Sequence, residues 1–157
     1  MKIVVVSDNH GRREPIEDIY NKHYKEAYCF IHCGDSELPN SAMDGYVVVQ
    51  GNNDYYGSYP EARVVELGKH KALIIHGHRQ MVYRDLSVLM YRAERNDCDL
   101  VFYGHTHIFS FVQEEGMTLL NPGSLYHNRD GTHPCYAILT IDDETDEITV
   151  ERTPYNK

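Results

Sequence analysis

Positive charge is what this sequence has least of. Fifteen lysines and arginines face 24 aspartates and glutamates, for a formal charge of −9. That balance argues against a broad non-specific nucleic-acid surface, which needs an excess of Lys and Arg. It leaves a nucleotide substrate open, because bound divalent cations reverse the local field. Paired cysteines are also missing. Cys29, Cys33, Cys98 and Cys135 contain no Cys-x-x-Cys spacing, so neither a zinc knuckle nor a thioredoxin-type motif is present. Three of them sit in or beside apolar runs and read as reduced, buried thiols. No apolar run approaches a membrane span, and Ile3-Val4-Val5-Val6 is too short for a signal-peptide core. The expectation is a cytoplasmic protein. No repeat, low-complexity tract or interdomain linker divides the 157 residues, so one domain, 1–157, is expected.

What is present is a series of short apolar runs ended by polar turns. Residues 2–7 are β-branched, as in a strand buried on both faces. Residues 14–27 predict a helix with Pro15 near its start and an apolar stripe of Ile16, Ile19 and Tyr20. Residues 28–32 give a second strand, and strand, helix, strand in this order favours a parallel pair with a right-handed crossover. A third strand is expected over 45–50. A hairpin is expected over 63–67 and 72–75, a helix over 85–95 and a strand over 99–103. Two strands around a Glu115-Gly116 turn follow over 108–113 and 117–120, then a closing pair over 135–141 and 147–152. These predict an α/β domain richer in strands than in helices.

The polar residues fall just past these strands. Asp8 and His10 follow the first, Asp35 the second, Asn52 the third, His76 the fifth, and His105 with His107 the strand over 99–103. If the backbone stays extended there, His105 and His107 share one face, as do Asp8 and His10, because strand side chains alternate with period two. His105 and His107 alone fit either a metal site or a polar loop at a strand end. Ligands in open α/β sheets bind outside the carboxyl ends of strands, so two carboxylates, one amide and four imidazoles could meet in one crevice. Seven ligands are too many for one tetrahedral zinc and suit two ions sharing a carboxylate. Oxygen and imidazole donors without thiolate favour Mn²⁺, Zn²⁺, Fe²⁺, Ni²⁺ or Co²⁺. Glycines beside these positions, Gly51 and Gly104 among them, allow close backbone approach.

The motifs Asp8-x-His10, Gly34-Asp35, Gly51-Asn52-x-Asp54, His76-Gly77-His78, Gly104-His105-x-His107 and Asn121-Pro122-Gly123-Ser124 resemble those of the calcineurin-like metallophosphoesterase superfamily. The similarity is to its small bacterial and archaeal YfcE-type phosphodiesterase branch. The resemblance implies two packed mixed β-sheets flanked by helices, a four-layer sandwich. It implies one metal held by Asp8, His10 and His107, another held by Asn52, His76 and His105, and Asp35 bridging them. The implied cofactors are two divalent transition-metal ions, Mn²⁺ first among them.

The activity so implied is phosphodiester hydrolysis of a small phosphoester substrate by hydroxide held between ions about 3.5–4 Å apart. No protein nucleophile is needed, and Ser124 reads as a turn or pocket residue because no Gly-x-Ser-x-Gly surrounds it. Asp35, Asn53, Asp54 and His78 form the candidate catalytic group. Many superfamily members carry a histidine where this chain has Asn53, and an amide cannot protonate a leaving group. His78 is the candidate acid, and Asp54 is expected to orient its neighbours. Tyr55, Tyr56 and Tyr59 offer rings for an aryl group, for packing or for a homo-oligomer contact. The alternatives are a non-catalytic scaffold of the same fold, as in a eukaryotic retromer subunit, and a nuclease. Seven intact ligand positions weigh against the first and the acidic charge against the second.

Overall fold

A computed structural model describes residues 1–156. Strand β1 (Lys2–Val6) is followed by helix α1 (Arg13–His23), β2 (Cys29–His32), a 3₁₀ turn (Asn40–Met43) and β3 (Tyr46–Val48). Next come β4 (Ala62–Leu67), β5 (His70–Ile75), helix α2 (Ser87–Arg95) and β6 (Leu100–Phe102). The chain closes with β7 (Ser110–Glu114), β8 (Met117–Asn121), β9 (Cys135–Ile141) and β10 (Ile148–Pro154). The strands form two five-stranded sheets, ordered β10-β9-β1-β2-β3 and β4-β5-β6-β8-β7. Both are mixed. β1, β2 and β3 run parallel, and β9 is antiparallel to both of its neighbours, β1 and β10. In the second sheet β5, β6 and β8 run parallel, with β4 and β7 as antiparallel edges.

Period-two alternation explains the layering. Ile3 and Val5 of β1 point into a core with Leu67, Ala72, Ile74, Leu100, Phe102 and Leu120 of the second sheet, while Val4 and Val6 point the other way onto Ile16 and Ile19 of α1. The outer face of the second sheet (Leu73, Ile75, Val101, Leu119) is covered by Leu89 and Ala93 of α2. The layers are therefore helix, sheet, sheet, helix, and the apolar residues of β1 are all fully buried. β1 pairs with β2 in parallel register, Ile3 against Cys29 and Val6 against His32, as the strand-helix-strand order predicts.

Some elements are shorter than their apolar patterns suggested, while β4, β5 and β10 are longer. Helix α1 stops at His23, where Tyr24 and residues after it form a turn tied by Ala27 N–H to His23 O at 2.9 Å. The third strand keeps only Tyr46–Val48 of its expected 45–50. The 3₁₀ turn, carrying one buried residue, Met43, was unmarked by any helical period. Cys33, Cys98 and Cys135 are buried, and all four cysteines are free thiols. Burial pushes the Cys33 thiol well above its ordinary range. Among the described residues no helix is long and apolar enough to cross a membrane.

Candidate metal centre

The parallel strands β1, β2 and β3 of one sheet and β5 and β6 of the other deliver their C-terminal ends to one place. The backbone there is not extended, which corrects the face-sharing expectation. Asp8 (φ 56°), His10 (φ 45°), Asp35 (φ 59°), His105 (φ 71°) and His107 (φ 58°) all occupy the left-handed region. For non-glycine residues this conformation is uncommon and costs energy unless surroundings hold it. The directions of His105 and His107 are therefore set by a tight loop, not by strand alternation.

Three histidines have their tautomers set by hydrogen bonds behind the rings. His10 Nδ1 donates to Glu37 Oε2 at 2.5 Å, His107 Nδ1 to the His127 carbonyl at 2.9 Å, and His76 Nδ1 to the Cys33 carbonyl at 2.8 Å. Each ring, when neutral, turns a bare Nε2 lone pair forward. His10 Nε2 and His107 Nε2 lie 3.0 Å apart, with Asp8 Oδ1 at 3.2 Å from His107 and 3.7 Å from His10. When both rings are neutral, two lone pairs and a carboxylate oxygen converge here and repel one another, and a cation removes the repulsion. Ligands about 2.1 Å from one ion are about 3.0–3.4 Å apart at ordinary bond angles, so the spacing fits.

A second group surrounds His76 Nε2, which has Asn52 Oδ1 at 3.0 Å, Asp35 Oδ2 at 3.5 Å and Asp8 Oδ1 at 3.9 Å. Two compact sets of possible ligands result, Asp8-His10-His107 and Asp8-Asp35-His76. Asp35 Oδ2 also lies 3.9 Å from His10 Nε2, so both carboxylates reach toward both sets. His105 is the outlier. Its ring meets His76 edge-on at 5.1 Å, outside either compact set, while its backbone N–H donates to Asp8 Oδ2 at 3.1 Å.

Charge follows this geometry. Burial would raise the Asp8 carboxyl, but the His76 charge and hydrogen bonds from His107 and Ser7 outweigh it and hold it low. Burial opposes ionisation of Asp35 too, and it is overcome by His76 and by Asn53, so that carboxyl lies far below its usual range. On His76 burial is outweighed by Asp8 and Asp35, which raise it to about 9. Burial, aided by the His76 charge, pushes His105 down to about 4. Without a cation, the two carboxylates thus keep a proton on His76; an incoming cation displaces it.

The candidate catalytic residues separate by contact. Asn53 gives both its donors to Asp35, backbone N–H to Oδ1 at 2.8 Å and Nδ2 to Oδ2 at 3.0 Å. Asp54 accepts from the backbone N–H groups of Gly51 (2.7 Å), Asp35 (2.8 Å) and Glu37 (2.8 Å), so it ties the loops after β2 and β3 together. The His78 ring stands 5.5 Å from His76, and its buried Nδ1 has no partner among the described residues. Ser124 is structural: its hydroxyl donates to the Asp8 carbonyl at 2.8 Å and accepts from Tyr126 N–H at 2.9 Å. Tyr59 packs within the fold with its hydroxyl on the Leu38 carbonyl, while Tyr55 and Tyr56 are exposed.

Several residues at the site carried no local signal. Glu37, which fixes His10, is 27 positions away in sequence. Asn121 Nδ2 donates to Gly104 O at 3.0 Å and Thr106 Oγ1 at 2.9 Å, bracing the His105 loop. His32 donates from Nε2 to Asn9 Oδ1 at 2.6 Å and accepts from Gly34 N–H at 3.0 Å, and burial pushes it down to about 4. Only the Asn121-Pro122-Gly123-Ser124 motif pointed toward any of them.

The chain is similar to known proteins over most of its length. The Calcineurin-like phosphoesterase superfamily domain matches residues 1–144. The "Probable metallophosphoesterase YsnB" of Bacillus subtilis (strain 168) is 37% identical over 152 residues, which cover 96% of this chain and 89% of that protein. A conserved protein of Streptococcus pneumoniae TIGR4, described with its crystal structure as a predicted phosphoesterase, superposes with a TM-score of 0.88. It shares 33% identity, with 96% of this chain and 88% of that one covered. A structure described as a novel archaeal phosphodiesterase gives a TM-score of 0.71 at 26% identity, covering 97% and 99% of the two chains.

Proposed function

The chain belongs to the calcineurin-like phosphoesterase superfamily, and from that premise we propose that it is a dinuclear metal-dependent phosphodiesterase acting on small phosphodiesters. Family membership supports a metal-dependent phosphoesterase. The diester preference, the two-ion count and Mn²⁺ as the working ion are the proposal. The observation that carries it is the convergence of His10 Nε2 and His107 Nε2 at 3.0 Å beside a carboxylate, next to a second set sharing that carboxylate. Asp8, His10 and His107 would hold one ion. Asn52, His76 and His105 would hold the other, with Asp35 shared, and His105 needs a ring displacement to join its set.

Two divalent ions, when bound, supply Lewis acidity that lowers the pKa of water and offsets charge on the phosphoryl oxygens. The chain's own residues fix the geometry for this. Glu37 and the His127 and Cys33 carbonyls aim three imidazoles, as carbonyl and carboxylate partners commonly do behind metal-bound histidines. Asn53 takes no part as an acid; its two hydrogen bonds pin the Asp35 carboxylate in one rotamer. His78 is the candidate hydrogen-bonding partner of the leaving group. Burial and the charges of His76 and Arg79 lower its pKa, so the ring is mostly neutral at pH 7 and suits esters with good leaving groups.

Purified protein with added Mn²⁺ is expected to hydrolyse an activated aryl phosphodiester, and a chelator is expected to abolish turnover. Asp35→Asn should lower kcat at least 10²-fold with the circular dichroism spectrum unchanged. Absence of turnover by metal-loaded protein across diesters and monoesters would establish the scaffold reading instead.

A further inference from the structure

We propose that Arg129, held in place by Tyr83, is a substrate-binding residue that grips the outward oxygens of the phosphoryl group at the mouth of the metal centre. The inference rests on the phosphoesterase reading of that centre and adds a protein cation to it.

Arg129 is built into the site at both ends. Its backbone N–H donates to the His107 carbonyl at 3.0 Å, so its Cα rides on the loop that carries His107. Its guanidinium reaches the Tyr83 hydroxyl through Nη1 and lies over the Tyr83 ring, 5.6 Å from the centroid. Tyr83 in turn belongs to the other side of the centre. Its hydroxyl donates to the His105 carbonyl at 3.3 Å, and its ring meets the His105 ring at 5.2 Å. The arm therefore runs from the His107 carbonyl to the His105 carbonyl, along the loop that carries both candidate ligands.

The chemistry of this arm is unused by the fold. A guanidinium offers five N–H donors in a planar fork suited to phosphate oxygens, and Tyr83 accepts from one of them. Among the described residues Arg129 makes no ion pair with any carboxylate, although the chain carries 24 acidic groups against 15 basic ones. Arg129 and Tyr83 are both exposed, Tyr83 at 57%. A cation without a carboxylate partner on an acidic molecule, tied to the loop that carries His105 and His107, is where a phosphoester approaching from solvent is drawn and oriented. Tyr83 acts as a positioning residue: its ring lies under the guanidinium and its hydroxyl accepts from Nη1.

The test is equilibrium binding of inorganic phosphate to the Mn²⁺-loaded protein by calorimetry, run beside steady-state kinetics on an aryl phosphodiester. For Arg129→Ala the phosphate Kd and the KM are expected to rise about tenfold, corresponding to about 1.4 kcal/mol, with kcat within about threefold and Mn²⁺ affinity unchanged. Arg129→Lys should recover part of the binding because it keeps the charge and loses the fork. Tyr83→Phe should give an intermediate KM, since it keeps the stacked ring and removes the hydroxyl. A phosphate Kd within twofold of wild type in Arg129→Ala overturns the assignment, as does a loss of Mn²⁺ affinity in that variant, which would place Arg129 in support of His107. Failure of the phosphoesterase reading looks different: wild-type protein would then bind Mn²⁺ without turning over any ester. Failure of wild type to bind phosphate would overturn the Arg129 assignment.

Discussion

Histidine is used in two opposite ways in this chain, and hydrogen-bond partners decide which. His10, His76 and His107 each have a carbonyl or carboxylate behind Nδ1, leaving Nε2 turned toward the centre. His70 instead has carboxylates on both nitrogens, Asp99 at 2.5 Å and Asp146 at 3.0 Å, and so works as a clasp between the second sheet and the turn joining β9 to β10. Burial opposes its charge, but the hydrogen bonds it donates to Asp99 and Asp146 raise its pKa above the ordinary value. A raised folded-state pKa contributes stability that is fully present below the unfolded value of about 6.5 and fades as pH climbs through the folded one. His70→Gln should therefore lower the urea midpoint more at pH 5.5 than at pH 9. An equal loss at both pH values would remove the charge from the explanation.

At the scale of elements, the sequence made the scaffold readable and left the loops obscure. The β-branched run of β1 and the stripe of Ile16 and Ile19 on α1 are decided by burial on fixed periods, and both stand where the pattern placed them. The seven candidate ligands were readable as a set because each follows a strand end, and the structure gathers six of them at close range while His105 stands back. What the pattern could not reveal was the loop conformation. A left-handed φ at Asp8, His10, Asp35, His105 and His107 is imposed by contacts from distant segments, such as Asn121 on the Gly104 loop and Ser124 on the Asp8 carbonyl. Gly104 itself is required by close approach: a Cβ there would strike Ser7 Oγ and Asp8 Oδ2. Those two atoms are bonded to each other at 2.5 Å in a fully buried site, so neither can retreat. Gly104→Ala should cost about 1–3 kcal/mol of stability by overpacking and weaken Mn²⁺ affinity about 10–100-fold through the displaced carboxylate. Calorimetry with Mn²⁺ and a urea titration of the same variant measure both. Wild-type Mn²⁺ affinity in a folded Gly104→Ala protein would show that Asp8 is not held by this contact.

On the scale of the whole molecule, the centre is the seam between the two sheets. Asp8, Asp35 and Asn52 come from the sheet containing β1, β2 and β3, while His76, His105 and His107 come from the sheet containing β5 and β6. Ions held there would clamp the two halves of the sandwich at one end, as the His70 clasp to Asp146 does between the second sheet and the β9–β10 turn. Because the ligand set exists only when the halves are docked, a cation binds the folded state and stabilises it by mass action. At a free concentration 100 times Kd the gain is about 2.7 kcal/mol. For a chain near 150 residues each kcal/mol shifts Tm by about 2–4 °C, or about 5–11 °C in all. Mn²⁺ should raise Tm by this amount, a chelator should reverse it, and Asp35→Asn should remove most of the increment. A Tm that stays constant across Mn²⁺, Zn²⁺, Co²⁺, Ni²⁺ and Fe²⁺ would mean that the two sheets close without an ion, and would sink the two-ion reading together with the clamp.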